Sequence, residues 1–555
     1  MIPMLQRALR VQQTWNLPLR TCQATAAAAF VLEVVGTNLA WASYTGFPGL
    51  MSLSFYPAGA RSYVLALSVA LGLVAVRFTR RRQAGLWASL ASFAVTLQTL
   101  IAISRDGGGL VNVSAGAWIT LLGTILGVIA FIALPDDGAP LPSSWPRLPR
   151  VLDGLAVVAG IGAAMLLLVY GLSVDPANQF VGLVIALIGG LAALNRLGLF
   201  AWLGALYARQ QGLSLALIGL AAISFPFTQN GESYWLRVGA NVGVLAAAAI
   251  GLNVVVGLAG LLDLGYIAFF GVGAYVAALY GNAGLGPSRG HIPFLLIVPL
   301  GALVSGLIGV IIGAPTLRLR GDYLAIVTLG FGEIFRIVVN TYDGFTGGPN
   351  GLANIPDLAF GSFNFGLPHK VFGITLQGFA NYYWAELVLI SIVVFVFSRL
   401  DRSRIGRAWV AIREDELAAA AMGINTVAYK LLAFGIGASV AGGSGTIQAH
   451  VATQVSPDSF VFMQSVLLLA AVVLGGMGTV PGALVGAAIL YAVPEKLRAF
   501  SDYRLLIFGV LLILVMRFRP EGMIASKRRQ REFHDTEASG SDALSAPPGF
   551  AGAVP

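Results

Sequence analysis

Apolar residues along the chain occur in runs of about twenty, and short polar or basic stretches separate these runs. A run of that length predicts a helix that crosses a membrane, because in lipid the backbone groups must be paired within the segment. Transmembrane β-strands would instead alternate apolar and polar residues over shorter segments. The pattern therefore predicts an all-α fold, a polytopic transmembrane helical bundle of about sixteen spans.

The predicted spans fall into two sets along the chain. The first set lies near residues 25–46, 62–78, 86–104, 115–134, 151–173, 180–208, 212–228 and 236–259. The second set lies near residues 261–284, 293–314, 322–340, 384–400, 428–449, 463–477, 480–494 and 504–517. An even number of spans places both termini on the same side of the membrane.

Composition supports a membrane protein and excludes several other classes. Apolar residues make up 57% of the chain and charged residues 11%, whereas soluble domains have about 45–50% and about 25%. The net charge of +9 comes from basic residues at the ends of spans, which argues against a nucleic-acid partner. Cys22 is the single cysteine, so an internal disulfide and a cysteine-built metal cluster are both excluded.

The basic residues also predict the orientation of the chain, because cytoplasmic loops carry the excess of Lys and Arg. Most of them fall on the side of the N-terminus. The opposite side receives Arg61, Arg105, Arg237, Arg289, Lys370, Lys496 and Arg498. Both termini are therefore predicted to be cytoplasmic.

Two long connections and one tail lie outside the spans. Residues 341–383 are predicted to be external and residues 399–427 cytoplasmic, and function often concentrates in such loops. Residues 526–555 are rich in Ser, Gly, Ala and Pro, which predicts a disordered cytoplasmic tail. The segment TGGPNGLANIP within the external loop is turn-forming and is a candidate contact for an external partner.

The cytoplasmic connection contains a candidate docking helix. It reads RLDRSRIGRAWVAIREDELAAAAMGINTVAYK and combines a charged start with an alanine-rich helix former that ends at Gly423. In this interpretation apolar side chains face a partner groove and charged ones make the docking specific. The apolar set is Trp409, Ile412, Leu417 and Met422, and the charged set is Arg407, Arg413, Glu414 and Asp415. The alternative is a solvated connector with no partner.

Polar residues within the apolar spans are candidates for a substrate path. Asn253 and Asp263 lie in or beside apolar surroundings, where a carboxylate is costly and suggests a function. Asp263 has a second interpretation, in which it lies in a short cytoplasmic turn and caps the next helix. Glu333 and Arg336 are three residues apart on one helix face, which favours a structural ion pair over a substrate contact.

Glycines at four-residue spacing predict close helix crossings rather than binding. They are Gly309 and Gly313 in one span and Gly478, Gly482 and Gly486 in another. The chain has no phosphate-binding GxxxxGK[ST] loop, no HExxH and no nucleophile elbow. We therefore predict no catalytic residues, no metal and no bound cofactor, so that any ATP must be hydrolysed by other chains.

Several stretches together resemble the LivM-type permease of branched-chain amino-acid ABC importers, over about residues 212–525. The stretches are GLNVVVGLAGLLDLGYIAFFGVGAYVAALY, LRLRGDYLAIVTLGFGEIFRI, TGGPNGLANIP, GRAWVAIREDELAAAAMGIN, YKLLAFGIGASVAGGSG, SPDSF, VVLGGMGTVPGALVGA and YRLLIFGVLLILVMRFRPEGM. The resemblance divides the chain into an N-terminal transmembrane extension at 1–211, a LivM-like domain at 212–525 and the tail at 526–555. The extension departs from the family pattern, and its role is open.

The resemblance implies a multi-pass protein of the inner, or plasma, membrane. It implies partners: a second, LivH-like permease, two cytoplasmic ATPase subunits that use ATP, and an extracytoplasmic substrate-binding protein. Residues 407–425 resemble the coupling loop of such permeases, and we call them the coupling segment. The implied ATPase contacts are Arg407, Arg413, Glu414, Asp415, Glu416, Met422 and Gly423.

The coupling segment departs from the general ABC importer pattern in two ways. Glu416 begins Glu-Leu-Ala one position farther from Gly423 than the usual Glu-Ala-Ala, and no Leu-Pro pair follows. These departures leave the individual contacts open.

The resemblance implies import of branched-chain or related amino acids by alternating access, along a path near Asn253, Asp263, Tyr266 and Glu333. An ion-coupled secondary transporter, with Asp263 or Glu333 as the ion site, is the main alternative. Within the ABC class, a urea or amide importer is another. A membrane-embedded scaffold or lipid-processing enzyme is a third class, but no catalytic constellation supports it.

Overall fold

The computed structural model describes most of the chain between residues 18 and 524. The described residues are 18–42, 59–77, 81–106, 109–134, 149–174, 177–229, 233–282, 292–317, 322–371, 373–496, 498, 506, 509, 510, 513, 517 and 522–524. The predicted tail at 526–555 lies outside them, as does most of the predicted span at 504–517. The chain divides into two compact units, residues 1–221 and 222–555.

The first unit is helical throughout its described elements. Its helices are α1 (Leu19–Asn38), α2 (Ala60–Arg77), α3 (Arg81–Asp106), α4 (Ala115–Ala133), α5 (Arg150–Ser173), α6 (Ala177–Arg196), α7 (Leu199–Arg209) and α8 (Gln211–Thr228), the last of which continues into the second unit. Pro18 and Pro149 precede α1 and α5, as expected where proline disfavours helix at the residue before it. Within the unit α1 packs against α4, and α3 against α6.

The second unit contains the longest described helix and all described strands. Its helices are α9 (Ser233–Asn253), α10 (Tyr266–Asn282), α11 (Phe294–Thr316), α12 (Asp322–Thr341), α13 (Asp343–Thr346), α14 (Gly378–Arg402), α15 (Arg404–Glu414), α16 (Glu416–Ala421), α17 (Thr426–Ala452), α18 (Phe462–Gly475) and α19 (Val480–Lys496). Helix α17 is the centre of this unit, since α9, α10 and α11 all pack against it.

Ten helices within the described residues are long and apolar enough to cross a membrane. The chain is therefore a polytopic helical membrane protein, as predicted. The predicted span at 180–208 is two helices, α6 and α7, because Gly198 adopts a left-handed conformation with φ of 79° between them.

Helix α9 ends in a π-helical turn, Val254–Leu258, and residues 259–265 are not helical. Such a turn is rare and often marks a functional site. The break separates α9 from α10 and places Asp263 between the two helices. Gly260 within it has a φ of 71°, which a side chain would rarely adopt.

The external loop predicted at 341–383 is more structured than the sequence suggested. It contains β2 (Leu352–Ala353), β3 (Leu358–Phe360), β4 (Phe363–Asn364), β5 (His369–Val371) and β6 (Ile374–Leu376), and two further strands are β1 (Ile292–Pro293) and β7 (Gln454–Val455). Strand β1 pairs with β3 in parallel, while β3–β4, β2–β7 and β5–β6 are antiparallel. These strands are only two or three residues long. Their backbone pairing holds the loop in one conformation but does not build a sheet with a hydrophobic core of its own.

The two units have separate hydrophobic cores. The core of the second unit runs from Ala240 to Ala487 in sequence and includes Trp409, Phe434 and Phe269. The first unit has two smaller clusters, one around Trp41 and Ile103 and another around Cys22 and Phe131. Each unit therefore buries apolar side chains of its own.

Candidate functional site

The coupling segment is built from two short helices, α15 and α16, with a side chain capping the start of each. The hydroxyl oxygen of Ser403 accepts hydrogen bonds from the amides of the first turn of α15. Asp415 does the same for α16, since its Oδ1 accepts from the amides of Leu417 (2.8 Å) and Ala418 (3.0 Å). Such caps satisfy amides that a helix start leaves unpaired. Asp415, a predicted ATPase contact, thus has a structural role in forming the bend.

The segment ends at a glycine turn. Gly423 has a φ of 84°, and the amide of Ile424 donates to the carbonyl of Ala419 at 3.1 Å. A left-handed glycine just after a helix is a common way to close the last turn. The turn leads directly into α17, whose start is capped by Asn425. The coupling segment is therefore a fixed bend between α14 and α17, and we call α15 and α16 together the elbow.

Two contacts fasten the elbow to the start of α17. The indole Nε1 of Trp409 donates to the carbonyl of Tyr429 at 2.7 Å. Lys430 Nζ lies 2.6 Å from Oε1 of Glu416, and the Lys430 side chain is only 5% exposed. Because both contacts link α15 and α16 to the same helix, a push on the elbow would be transmitted to α17.

A third contact reaches the break after α9. Arg413 Nη1 donates to the carbonyl of Gly257 at 2.8 Å, within the π-turn. A Cβ on Gly260 would lie 2.5 Å from Cγ of Arg413, so the arginine packs closely along the break. Arg413, predicted as an ATPase contact, therefore joins the coupling segment to the membrane bundle.

The outer surface of the elbow carries the exposed residues. Met422 is 84% exposed and Leu417 is 65% exposed, and Arg407 and Glu414 are also exposed. The prediction that Trp409 and Ile412 face a partner groove is wrong, because both are buried in this unit's own core. The charged and alanine-rich sequence could not reveal this, since either face of α15 could have turned inward.

Asn253 connects α9 to the turn before α19. Its Oδ1 accepts from the amide of Gly478 at 2.7 Å, and its Nδ2 donates to the carbonyl of Thr479 at 2.9 Å. The side chain is fully buried, and the amide group satisfies both an N–H and a C=O of the turn. Asn253 thus joins two parts of the membrane bundle.

Asp263 and Tyr266 flank the start of α10. Oδ1 of Asp263 accepts from the amide of Gly265 at 2.9 Å, so the carboxylate supports the entry into α10, but the residue is buried rather than solvated. The hydroxyl of Tyr266 donates to the carbonyl of Gly437 at 2.8 Å. Both predicted path residues are therefore engaged with the surrounding backbone.

Glu333 and Arg336 form the ion pair that their spacing suggested. Nε of Arg336 lies 2.9 Å from Oε2 of Glu333, and both side chains are about one-third exposed. The contact stays within α12 and involves no other helix. It is the local pair expected of residues three apart on one helix face.

The predicted glycine stripes serve close packing, with one exception. A Cβ on Gly309 would lie 2.5 Å from Cβ of Ala438, and one on Gly486 would lie on the carbonyl of Ala471. Gly313 and Gly482 likewise have neighbours within van der Waals contact or closer. Gly478 precedes α19 and has a φ of 78°, so it is a turn glycine and not part of a helix stripe.

A cavity of about 400 Å³ lies among α9, α10, α17, α18 and α19. Its polar lining residues are Asn241, Gln448, Gln454, Ser459, Gln464 and Tyr491, and the other lining side chains are apolar or aromatic. None of the four predicted path residues lines it, although Ile267 beside Tyr266 does. The three glutamines near the ends of α17 and α18 were missed, because their convergence depends on helix packing. Within the described residues no group of three or more His, Cys, Asp or Glu could hold a metal ion.

The family described as branched-chain amino acid transport system / permease component matches residues 234–516, about half of the chain. The chain belongs to this family. The permease is therefore a component of a transport system and not an enzyme, as predicted.

Individual relatives agree with this membership. The permease is 39% identical over 349 residues to the high-affinity branched-chain amino acid transport system permease protein LivM of Salmonella typhimurium, covering 60% of this chain and 80% of that protein. The LivM protein of Escherichia coli is 38% identical over the same length, with the same coverage of both chains. The permease protein LivH of Salmonella typhimurium is 28% identical over 290 residues, covering 50% and 90%. No solved structure matches.

Proposed function

We propose that the permease carries branched-chain or related amino acids into the cytoplasm as one subunit of an ABC importer of the inner membrane. Its partners are a second, LivH-like permease, two cytoplasmic ATPases and an extracytoplasmic binding protein. The chain binds no cofactor, and the ATPases use ATP. The proposal includes about sixteen spans with both termini cytoplasmic. It also divides the chain into an N-terminal extension at 1–211, a LivM-like domain at 212–525 and a tail at 526–555.

The observation that carries this proposal is the construction of the coupling segment. Its inner face is tied to α17 through Trp409 and Glu416 and to the end of α9 through Arg413. Its outer face presents Leu417 and Met422 to solvent. Two exposed apolar side chains on a rigid elbow suit insertion into a groove of an ATPase subunit, whose movement would then displace the elbow.

The contacts also suggest how the push reaches the substrate path. ATP-driven closure of the partner subunits displaces the elbow, and α17 moves with it because both helices of the elbow are bonded to the start of this helix. Since α17 also lines the cavity with Gln448, Ala449 and Ala452, the displacement changes the cavity walls. This is alternating access by rigid-body motion.

The cavity fits a small, uncharged or zwitterionic solute with an apolar side chain. Its lining offers amide and hydroxyl groups but no charged residue, beside apolar residues such as Leu468 and Phe270. An aliphatic amino acid matches both kinds of wall. Urea and small amides match only the polar part.

The test is co-purification from native membranes in mild detergent, followed by mass spectrometry and an ATPase assay. Recovery of a second permease and two ATPases, with hydrolysis stimulated by a liganded binding protein, supports the proposal. A chain that purifies alone, with uptake abolished by an ionophore and indifferent to ATP depletion, indicates a secondary transporter. Calorimetry that shows the binding protein to bind urea and not leucine overturns the substrate class.

A further inference from the structure

The first unit contains a buried carboxyl group that the proposed transport function does not use. Glu33 lies in the middle of α1 and is fully buried. Hydroxyl side chains of the same helix and of its neighbours are also fully buried in this unit: Thr37, Ser68, Ser89, Ser92, Thr96, Thr99, Thr120 and Thr124. A Cβ on Gly123 of α4 would lie 3.1 Å from Cγ of Glu33, so α4 closes directly over the carboxyl stem.

Glu33 faces no positive charge from the helices around it. Helix α4 contains no titratable residue, and the hydroxyl of Ser68 on α2 bonds the Glu33 carboxyl, with the hydroxyl of Ser92 on α3 nearby. The Arg residues of α1, α2 and α3 all lie in the first or last turns of those helices, at Arg20, Arg61, Arg77, Arg81, Arg82 and Arg105. An ionised carboxylate in such surroundings would lack a counter-charge and would be strongly disfavoured.

The two short contacts of the Ser68 hydroxyl indicate whether Glu33 carries a proton. Its Oγ lies 2.7 Å from the carbonyl oxygen of Val64 and 2.5 Å from Oε2 of Glu33. A serine hydroxyl has one hydrogen, and a carbonyl oxygen has none to donate. If the hydroxyl hydrogen points to Val64, the second short contact needs a hydrogen on Glu33. If it points to Glu33, the hydroxyl oxygen and the Val64 carbonyl oxygen are in close contact with no hydrogen between them.

We propose that Glu33 is a proton-binding site in the N-terminal unit and holds its proton as a neutral carboxylic acid. The acid donates to Ser68, and Ser68 donates to Val64. Every short contact then has one hydrogen. Release of the proton leaves a bare carboxylate among α1, α2, α3 and α4, so it requires these helices to part or a cation to enter.

The test is infrared spectroscopy of the full chain, in water and in D₂O, as a difference between wild type and Glu33→Gln. We expect the difference to contain the carbonyl stretch of a protonated carboxylic acid, shifted in D₂O. Glutamine has a similar shape and its side-chain amide can donate to Ser68, so we expect Glu33→Gln to keep its yield and melting temperature. Glu333→Gln, which removes a carboxylate that is about one-third exposed, is the matched control and leaves that band unchanged.

A second variant keeps the test decisive if Glu33→Gln does not fold. Ser68→Ala retains the acid but removes its acceptor, so the carbonyl band should remain and move in frequency. A band that is absent in wild type, replaced in the difference by the stretch of an ionised carboxylate, overturns the proposal. Loss of the band on adding sodium alone would assign the site to a metal cation instead.

Discussion

Single side chains in the permease join segments that are far apart in sequence. The amide of Asn253 bonds both Gly478 and Thr479, more than two hundred residues away. A side chain that closes two backbone groups at once leaves both unpaired when it is removed. Its loss should therefore cost more than that of an exposed polar residue.

We expect Asn253→Ala to lower the free energy of unfolding by about 1–3 kcal/mol, the cost of leaving buried polar groups unsatisfied. The measurement is thermal unfolding in detergent. Asn350→Ala is the matched control, because Asn350 is exposed in the loop between α12 and α14. Equal melting temperatures for the two variants would contradict the role given to Asn253.

The pair of Glu416 and Lys430 provides a second prediction for individual residues. Glu416→Gln leaves the buried Lys430 without its partner, which should lower the free energy of unfolding by roughly 3–5 kcal/mol. Glu416→Gln combined with Lys430→Met removes both charges and should recover part of the loss. If the losses of unfolding free energy in Glu416→Gln and in Lys430→Met alone add up to the loss in the double variant, the two residues do not interact in the folded protein.

Helices in this chain are predictable from sequence to the extent that lipid dictates their length. The predicted span at 115–134 is helix Ala115–Ala133, and the one at 151–173 is Arg150–Ser173. The break at Gly198 and the π-turn after Asn253 were missed, since neither interrupts the apolar run. Helix was predicted in the coupling segment and is present there, but its buried face was not predicted, because burial of Trp409 depends on where α17 lies.

Close packing of α10 against α17 gives a prediction for helices. A Cβ on Gly273 would lie on the backbone carbonyl of Gly442 in α17, and backbone cannot move aside as a side chain can. We expect Gly273→Val to abolish folding, measured as loss of the monodisperse peak on size exclusion in detergent. Gly330→Val is the control, because nothing lies within 4 Å of its Cβ position in α12. A monodisperse Gly273→Val protein would show that the two helices can separate.

At the scale of the whole molecule, the separate cores suggest separable units. The core of the second unit draws no residue from before Ala240, and the family match begins at residue 234. We expect a chain that starts at Gln211 to insert, to pair with the second permease and to retain uptake. Radiolabelled leucine uptake in cells that lack the full-length gene is the measurement. If the shortened chain still pairs with the second permease but uptake is lost, the extension at 1–211 takes a direct part in transport.

The exposed elbow gives the prediction for the assembled importer. Met422→Glu and Leu417→Glu place charge on its outer face without touching the contacts to α17, so we expect them to weaken ATPase binding and stop uptake. Val427→Glu, at an exposed position just beyond the elbow, is the control. Normal uptake by Met422→Glu would show that the partner docks elsewhere.

The length of α17 has a consequence for the membrane itself. Its 27 residues extend about 40 Å, whereas the hydrocarbon layer is about 30 Å thick. The difference must be taken up by tilting or by projection of one end beyond the lipid tails. Since the elbow continues directly into the first turn of α17, a change in bilayer thickness would change the tilt of α17 and with it the displacement of the elbow. We therefore expect the uptake rate to depend on the lipid chain length of the membrane.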